Sequence, residues 1–498
     1  MWNPFRKKDK AISKAKSGPG HPWGFDVPLL NLTANAAWTI GMAYEGCQIW
    51  GGTGSGKSSG SLAMLCLAFL AAGFGGLFLT SKPGDRETYE RYCRETGRLD
   101  DLIVVGAEQG LCYNPLDAEL RRRDAGAGIT ENIVSLLSTL LEVFERNSGQ
   151  SGREDEGYWR RAVRQLMRNA VDLLVMAKDR LSVPDLYRIV ISAPTSRADL
   201  KSPEWQRTSF CYECLAEADT KAKTARQRAD FEMVTQFFCW DFCQLSSKTR
   251  SVVVSSFTSL TDVMARGLVR ELVSGPESHV WPEMTQHGKI IVIDLPPKVF
   301  GEMGIVVQVL WKYCFQRSQE RRTVAENSRP CFLVTDESHL LAVEHDQPFQ
   351  TTARSSRTAV VNATQSISNY LAVFGPGSEA RVHSLVGNLQ TQIFHQQACT
   401  ETNAYAAGLI GRSRQFMINA SNSYQPTDWL TAKMTNARPQ TSAGISEVFE
   451  YEVQPSTFAT LRKGGAPHWQ VDAIVYQGGR IFPETDRPWT PVTFDQFI

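Results

Sequence analysis

The sequence predicts an α/β fold: a mainly parallel sheet with helices on its faces, interrupted by an all-helical insertion. Short apolar runs recur at 46–50, 76–80, 102–106, 289–294, 331–335, 358–363 and 391–395. Segments of helical periodicity, such as 85–96 and 306–322, lie between several of them. Continuous apolar runs are the mark of parallel strands buried on both faces, and their alternation with helices predicts a sheet covered on both sides. Between about 118 and 285 the strand runs stop. Segments 131–146, 158–178, 184–191, 204–219 and 221–238 carry apolar residues at helical spacing instead. The expected organisation is an arm at 1–28, an α/β unit formed by 29–117 and 286–498, and the helical insertion at 118–285.

Taken in order, the chain opens on a basic segment, with six Lys/Arg against one Asp in its first 16 residues. No apolar stretch follows those charges, so the segment does not read as a secretory signal. It reads as a disordered start, or as an arm tipped by Trp2 and Phe5 that suits anionic lipid or a partner. Over all 498 residues, 42% are hydrophobic and 21% charged, the composition of a globular protein. Lys+Arg 53 against Asp+Glu 52 leaves a net charge of +1. That balance excludes nucleic-acid coating by bulk charge but leaves room for a local basic channel. Eleven cysteines without framework spacing fit a reducing compartment. The 20 uncharged residues at 61–80 are long enough to span a membrane. Gly73, Gly75 and Gly76 interrupt them, so the reading is a buried helix to about Ala72, a glycine turn and a buried strand.

The chemistry begins just before that helix. Gly51, Gly52, Thr53, Gly54, Ser55, Gly56, Lys57 and Ser58 match the phosphate-loop pattern G-x-x-x-x-G-K-[ST], with an apolar strand before and, from Ser59, an apolar helix after. Glycines let successive N–H groups turn toward a phosphate chain, and the helix N-terminus faces the same anion. In such a loop Lys57 reaches the β- and γ-phosphates and Ser58 places its hydroxyl on Mg²⁺. The run 330–335 ends in Asp336 and Glu337. A carboxylate at a strand end can enter the Mg²⁺ shell, and its neighbour can orient or deprotonate the attacking water. Together these predict an ATP- and Mg²⁺-dependent P-loop NTPase of RecA-like class. A rival acidic strand end, Asp294, lacks an adjacent second carboxylate.

Gln365, at the tip of the run 358–363, is placed to sense the γ-phosphate or hold the water, or simply caps the strand. Upstream, Arg354 and Arg357 are candidates for an arginine finger acting in trans, or for contact with solvent or DNA. Cys211, Cys214, Cys239 and Cys243 have zinc-like spacing but fall in helical, aromatic-rich segments, where cysteines are usually small core residues.

The motifs resemble, in order, those of the TraG/TraD-type coupling proteins of type IV secretion and conjugation, within the HerA/FtsK group of motor ATPases. GGTGSGKSSG is followed by LTSKPGDRETYERY, similar to the family's strand-Asp-Pro-Lys-Gly segment, and then by Tyr113-Asn114-Pro115-Leu116-Asp117. Tyr158-Trp159, Val183-Pro184-Asp185-Leu186-Tyr187 and Ser247-Lys248-Thr249-Arg250 have counterparts, as do IVIDLPP, VTDE, ATQSISNY, Gly387-Asn388 and the closing FATLRKGGAPHWQVDAIVYQGGRIF. The resemblance covers about residues 40–485. It implies a homo-hexameric ring that hydrolyses ATP at subunit interfaces and moves DNA through its pore, or delivers a relaxase–DNA substrate to type IV secretion components. The helical unit would meet cargo. Alternatives are a coupling ATPase for protein effectors, a soluble motor outside a secretion system, or a non-hydrolysing scaffold. Two features depart from the family. Its initial transmembrane helices have no counterpart, so the expected place is cytoplasmic, with peripheral attachment at the inner face of the membrane or a purely cytosolic role as the alternatives. Its Asp-Pro-Lys-Gly is Ser81-Lys82-Pro83-Gly84 here.

Overall fold

The computed structural model describes residues 22–147, 156–423 and 440–497. Seven strands form a parallel core: β3 (Cys47–Trp50), β4 (Gly75–Leu79), β5 (Leu102–Gly106), β6 (Ile290–Asp294), β7 (Cys331–Thr335), β8 (Thr358–Thr364) and β9 (Thr391–Phe394). Two antiparallel strands, β12 (Gln470–Gln477) and β13 (Trp489–Asp495), extend one edge, so the nine strands run β13-β12-β9-β3-β8-β7-β4-β6-β5. Small antiparallel pairs stand apart: β1 (Pro28–Asn31) with β2 (Ala37–Thr39), and β10 (Arg412–Ser423) with β11 (Gln440–Tyr451).

Strand alternation divides the core into two layers. On one face Ile49, Phe78, Ile290, Val292, Phe332, Val334 and Val361 pack with the helices Ala63–Ala71 and Asp85–Glu95. On the other, Leu77, Ile291, Ile293 and Leu333 pack with the helix Pro297–Arg321 and share one continuous cluster with residues of the helices Thr130–Asn147 and Glu156–Lys178. Glycine makes the closest approaches possible. A Cβ on Gly75 would lie 1.9 Å from the Thr285 carbonyl, and one on Gly76 2.4 Å from the Phe332 ring.

From Pro115 to Val273 every regular element among the described residues is helical. Asn114 ties the start of this segment down. Its side chain accepts the Asp117 N–H and donates to the carbonyls of Leu181 and Gly275. The segment 204–219, expected as one helix, is two, Pro203–Thr208 and Phe210–Thr220. Ser209 separates them because its hydroxyl caps the second by accepting the Tyr212 N–H. The helix expected over 221–238 runs Ala225–Gln236 and ends in a π-helical turn, Phe237–Asp241. The apolar stretch 61–80 divides into the helix Ala63–Ala71 and strand β4. Among the described residues no single helix is long and apolar enough to cross a membrane.

Residues 1–21 of the expected arm lie outside the described residues. Its last part is packed against the sheet domain. Trp23 donates its indole N–H to the Ala72 carbonyl, and Phe25 meets Tyr44 edge-on at 5.6 Å.

Candidate nucleotide site

Strand β3 delivers the chain into the glycine loop at the C-terminal ends of the parallel strands. Gly51 N–H bonds the Thr364 carbonyl at the end of β8, and Gly52 N–H bonds the Gln396 carbonyl just beyond β9. Gly54 and Gly56 take positive φ, +73° and +84°, which turns the loop. The N–H groups of Gly54, Gly56, Lys57 and Ser58 make no hydrogen bond within the described chain, so they are available as anion donors. The first turn after the loop is π-helical, Ser58–Leu62, with Leu62 N–H reaching the Lys57 carbonyl. Ser59 is held from behind: its carbonyl accepts the Phe497 N–H and its hydroxyl the Gln496 amide.

Strand β7 brings the acidic pair to this loop. Lys57 Nζ lies 3.3 Å from Glu337 Oε1 and 3.7 Å from Asp336 Oδ1. The Ser58 hydroxyl donates to Asp336 Oδ2 at 2.8 Å. Burial would lower the Lys57 pKa, yet Asp336 and Glu337 outweigh it and hold the ammonium above the usual lysine range. Burial would raise the Asp336 carboxyl, but Lys57, Lys82 and the Ser58 hydroxyl hold it below the carboxylate range. Both groups are therefore charged at neutral pH. Glu337 takes a left-handed backbone, φ 50°, uncommon for a residue with a side chain. That turn carries its carboxylate to Lys57, and its Oε2 has no hydrogen-bond partner although buried.

Gln365 joins the same cluster. It donates to Glu337 Oε1 at 3.3 Å and accepts from the Thr53 hydroxyl at 3.5 Å, bridging the glycine loop and the acidic pair. Asp294 stands apart, 3.5 Å from Arg86. Arg354 and Arg357 also stand apart. They precede β8, whose far end carries Gln365, and a seven-residue strand separates the two ends by roughly 20 Å. Arg354 pairs with Glu45 at 3.4 Å, and Arg357 donates to the Glu326 carbonyl at 2.6 Å. Neither meets its own chain's cluster. Among the described residues no three His, Cys, Asp or Glu side chains are grouped to hold a metal, the cysteines at 211, 214, 239 and 243 included.

Sequence reasoning missed three neighbours. Lys82 Nζ is 3.7 Å from Asp336 Oδ2. His339 Nδ1 lies 2.9 Å from the Thr364 hydroxyl and 3.7 Å from Glu337 Oε2. His395, fully buried beyond β9, meets the Ser61 hydroxyl at 2.7 Å. The basic residue in the unusual segment 81–84 was a signal for the first, and the place of His339 two residues after Glu337 was one for the second; the contact of His395 with Ser61 spans 334 residues and left none.

The residues present fit a Mg²⁺–nucleoside triphosphate. Free loop N–H groups and a buried ammonium suit the phosphates. The facing Ser58 hydroxyl and Asp336 carboxylate suit an ion that takes one or two protein oxygens alongside phosphate oxygens.

No protein-family model and no curated protein matches the sequence. Solved structures match its fold. The plasmid coupling protein TrwB in complex with ADP and Mg²⁺ aligns at TM-score 0.61 and 15% identity, over 93% of this chain and 88% of that one. The same protein with the non-hydrolysable GTP analogue GDPNP gives 0.61 and 15%, over 94% and 91%. The unbound bacterial conjugative coupling protein TrwBdeltaN70 gives 0.58 and 16%, over 91% and 84%. At these identities the likeness is one of fold, and the fold is that of the TraG/TraD-type coupling proteins.

Proposed function

We propose that this chain is an ATP-hydrolysing coupling protein that translocates DNA, or a relaxase–DNA complex, toward a type IV secretion or conjugation channel. The observation that carries the reading is the convergence of Lys57, Ser58, Asp336, Glu337 and Gln365 at the strand ends of a coupling-protein fold. The loop N–H groups and Lys57 bind the triphosphate. Ser58 and Asp336 would hold Mg²⁺, which when bound neutralises charge on the β- and γ-phosphates. Glu337 is the general base or orienting group for water. It exchanges its contact with Lys57 for one with water as Lys57 turns to phosphate. Gln365 holds Glu337 in line and couples it to Thr53, so the state of the phosphate chain reaches β8.

The active form is a homo-hexameric ring with DNA in its pore. Arg354 and Arg357 lie remote from their own chain's site, so a catalytic role for them is one across a subunit interface. The helical segment 118–285 is the cargo-facing unit, and the basic arm supports peripheral association with the cytoplasmic membrane. A net charge of +1 suits a ring that needs positive charge only along its pore.

The test is phosphate release with and without DNA, read alongside oligomeric state. DNA should stimulate turnover, Lys57→Ala should abolish it, and Glu337→Gln should bind nucleotide without turning it over. DNA-independent turnover in an assembled ring would count against translocation and favour protein cargo. Salt-insensitive DNA binding would do the same, because phosphate contacts weaken steeply with ionic strength.

A further inference from the structure

The segment Ser81-Lys82-Pro83-Gly84 departs from the family pattern by losing its acidic residue and placing lysine before proline. The structure supplies a physical account. An acidic group is present in the turn, from Asp85. One oxygen of that carboxylate accepts the Ser81 N–H at 2.7 Å, the Ser81 hydroxyl at 3.1 Å and the Lys82 N–H at 3.0 Å. Gly84 closes the turn at φ 89°. The backbone of Lys82 is thereby anchored at the end of β4, next to β7 in the sheet. Its side chain extends toward Asp336 and stays 43% exposed, so the ammonium is free to swing while its Cα is not.

The oxygen it approaches matters. Asp336 Oδ1 lies near Lys57 and accepts the Glu337 N–H at 3.0 Å. Oδ2 accepts from Ser58 at 2.8 Å and has Lys82 Nζ at 3.7 Å. Oδ2 and the Ser58 hydroxyl are the same two oxygens that suit Mg²⁺. An ammonium and a divalent cation repel each other against one carboxylate oxygen; Asp336 is only 3% exposed, so water screens that repulsion mainly from the side of Lys82.

We propose that Lys82 is a tethered cation that holds the Asp336–Ser58 position until a divalent ion displaces it, and so sets the Mg²⁺ concentration at which nucleotide binds. The inference rests on the nucleotide-site reading above. Lys82 is a positioning residue: it keeps Asp336 turned toward Ser58 and makes Mg²⁺ entry a competition. Once displaced, its exposed side chain leaves the carboxylate for solvent or for the phosphate chain.

The experiment is a Mg²⁺ titration of fluorescent ATP-analogue binding to the full chain, read by anisotropy without reference to turnover. Lys82→Met removes the competing charge, and the Mg²⁺ midpoint should fall about two- to five-fold. Lys82→Arg keeps the charge and should stay near the unaltered midpoint. A Lys82→Met midpoint that is unchanged or higher overturns the proposal. Lys82→Gln, with its thermal midpoint measured in parallel, replaces Lys82→Met if that variant is poorly folded. Lys57→Ala separates the two levels of inference. If it binds the analogue as well as the unaltered chain, the nucleotide site itself is wrong. If Lys57 matters and Lys82→Met moves nothing, only the Lys82 inference falls.

Discussion

His395 makes a pH-dependent strut between the sheet and the phosphate-loop helix. Its ring is fully buried, with Nδ1 3.1 Å from the Asp472 carbonyl and Nε2 2.7 Å from the Ser61 hydroxyl. A carbonyl only accepts, so Nδ1 carries the proton and Nε2 accepts from Ser61. The neutral ring is then satisfied at both nitrogens. Burial, the largest influence, pushes its pKa from 6.5 down to about 4; the Asp472 carbonyl works the other way, and Lys57 adds to the lowering. The folded value lies below the unfolded one. Stability from this group is therefore complete above about pH 6.5 and is lost as pH falls toward 4. At 1.36 kcal/mol per pH unit the gap amounts to ~3 kcal/mol, of which about 2 kcal/mol is lost between pH 7 and pH 4.5. The perturbation is His395→Gln, which keeps polar atoms in place but does not titrate. Urea unfolding of both chains at the two pH values gives a double difference in which the other titrating groups cancel. The unaltered chain should lose about 2 kcal/mol more than the variant on acidification. Parallel losses in the two chains would refute the assignment of a buried, neutral His395.

Other consequences follow from close contacts. Gly76→Ala places a methyl 2.4 Å from the Phe332 ring, which is stacked on Phe69 and tilted against Phe78 and so has nowhere to retreat. Overpacking of this kind should cost about 1–3 kcal/mol, read as a lower urea midpoint; an unchanged midpoint would contradict the packing. Lys312 is 4% exposed and 2.6 Å from Asp346, and burial holds its pKa below the lysine range. Lys312→Met leaves the carboxylate to Gln316 and the Val343 N–H, and should destabilise by about 3–5 kcal/mol in equilibrium unfolding. Arg354→Ala and Arg357→Ala should leave nucleotide affinity unchanged. If either arginine is a finger acting in trans, its removal should lower turnover in the assembled ring on the order of a thousand-fold, and mixing with Lys57→Ala subunits should restore it in part. Equal loss in dispersed subunits would exclude action in trans.

The parallel sheet was legible because most of its strands are buried on both faces and so are largely apolar, the edge strand β5 being only half-buried over Leu102–Val104. Runs such as 331–335 and 358–363 agree with β7 and β8 to within a residue. Helix ends were harder. The apolar period of 204–219 crosses Ser209 unbroken, and only the capping hydroxyl marks the division. The pair β10 and β11 was not legible at all, since Arg412–Ser423 and Gln440–Tyr451 are rich in Ser, Asn, Gln and charged residues and carry no apolar run longer than Phe416-Met417-Ile418.

The candidate site divides along the same physical line. Phosphate binding by a glycine loop is local chemistry, so Gly51 to Ser58 could be read directly, and a carboxylate pair closing an apolar strand is local too. Lys82 works through a residue far away in sequence, and the sequence alone shows only that an acid is missing from the segment 81–84. In three dimensions Asp85 restores the acid to the turn and Lys82 reaches Asp336 from it. A departure from a motif can thus conserve charge while moving it, and what it changes is the order in which cations reach one buried oxygen. That makes the Mg²⁺ midpoint, rather than the rate of turnover, the quantity in which the altered segment should be felt.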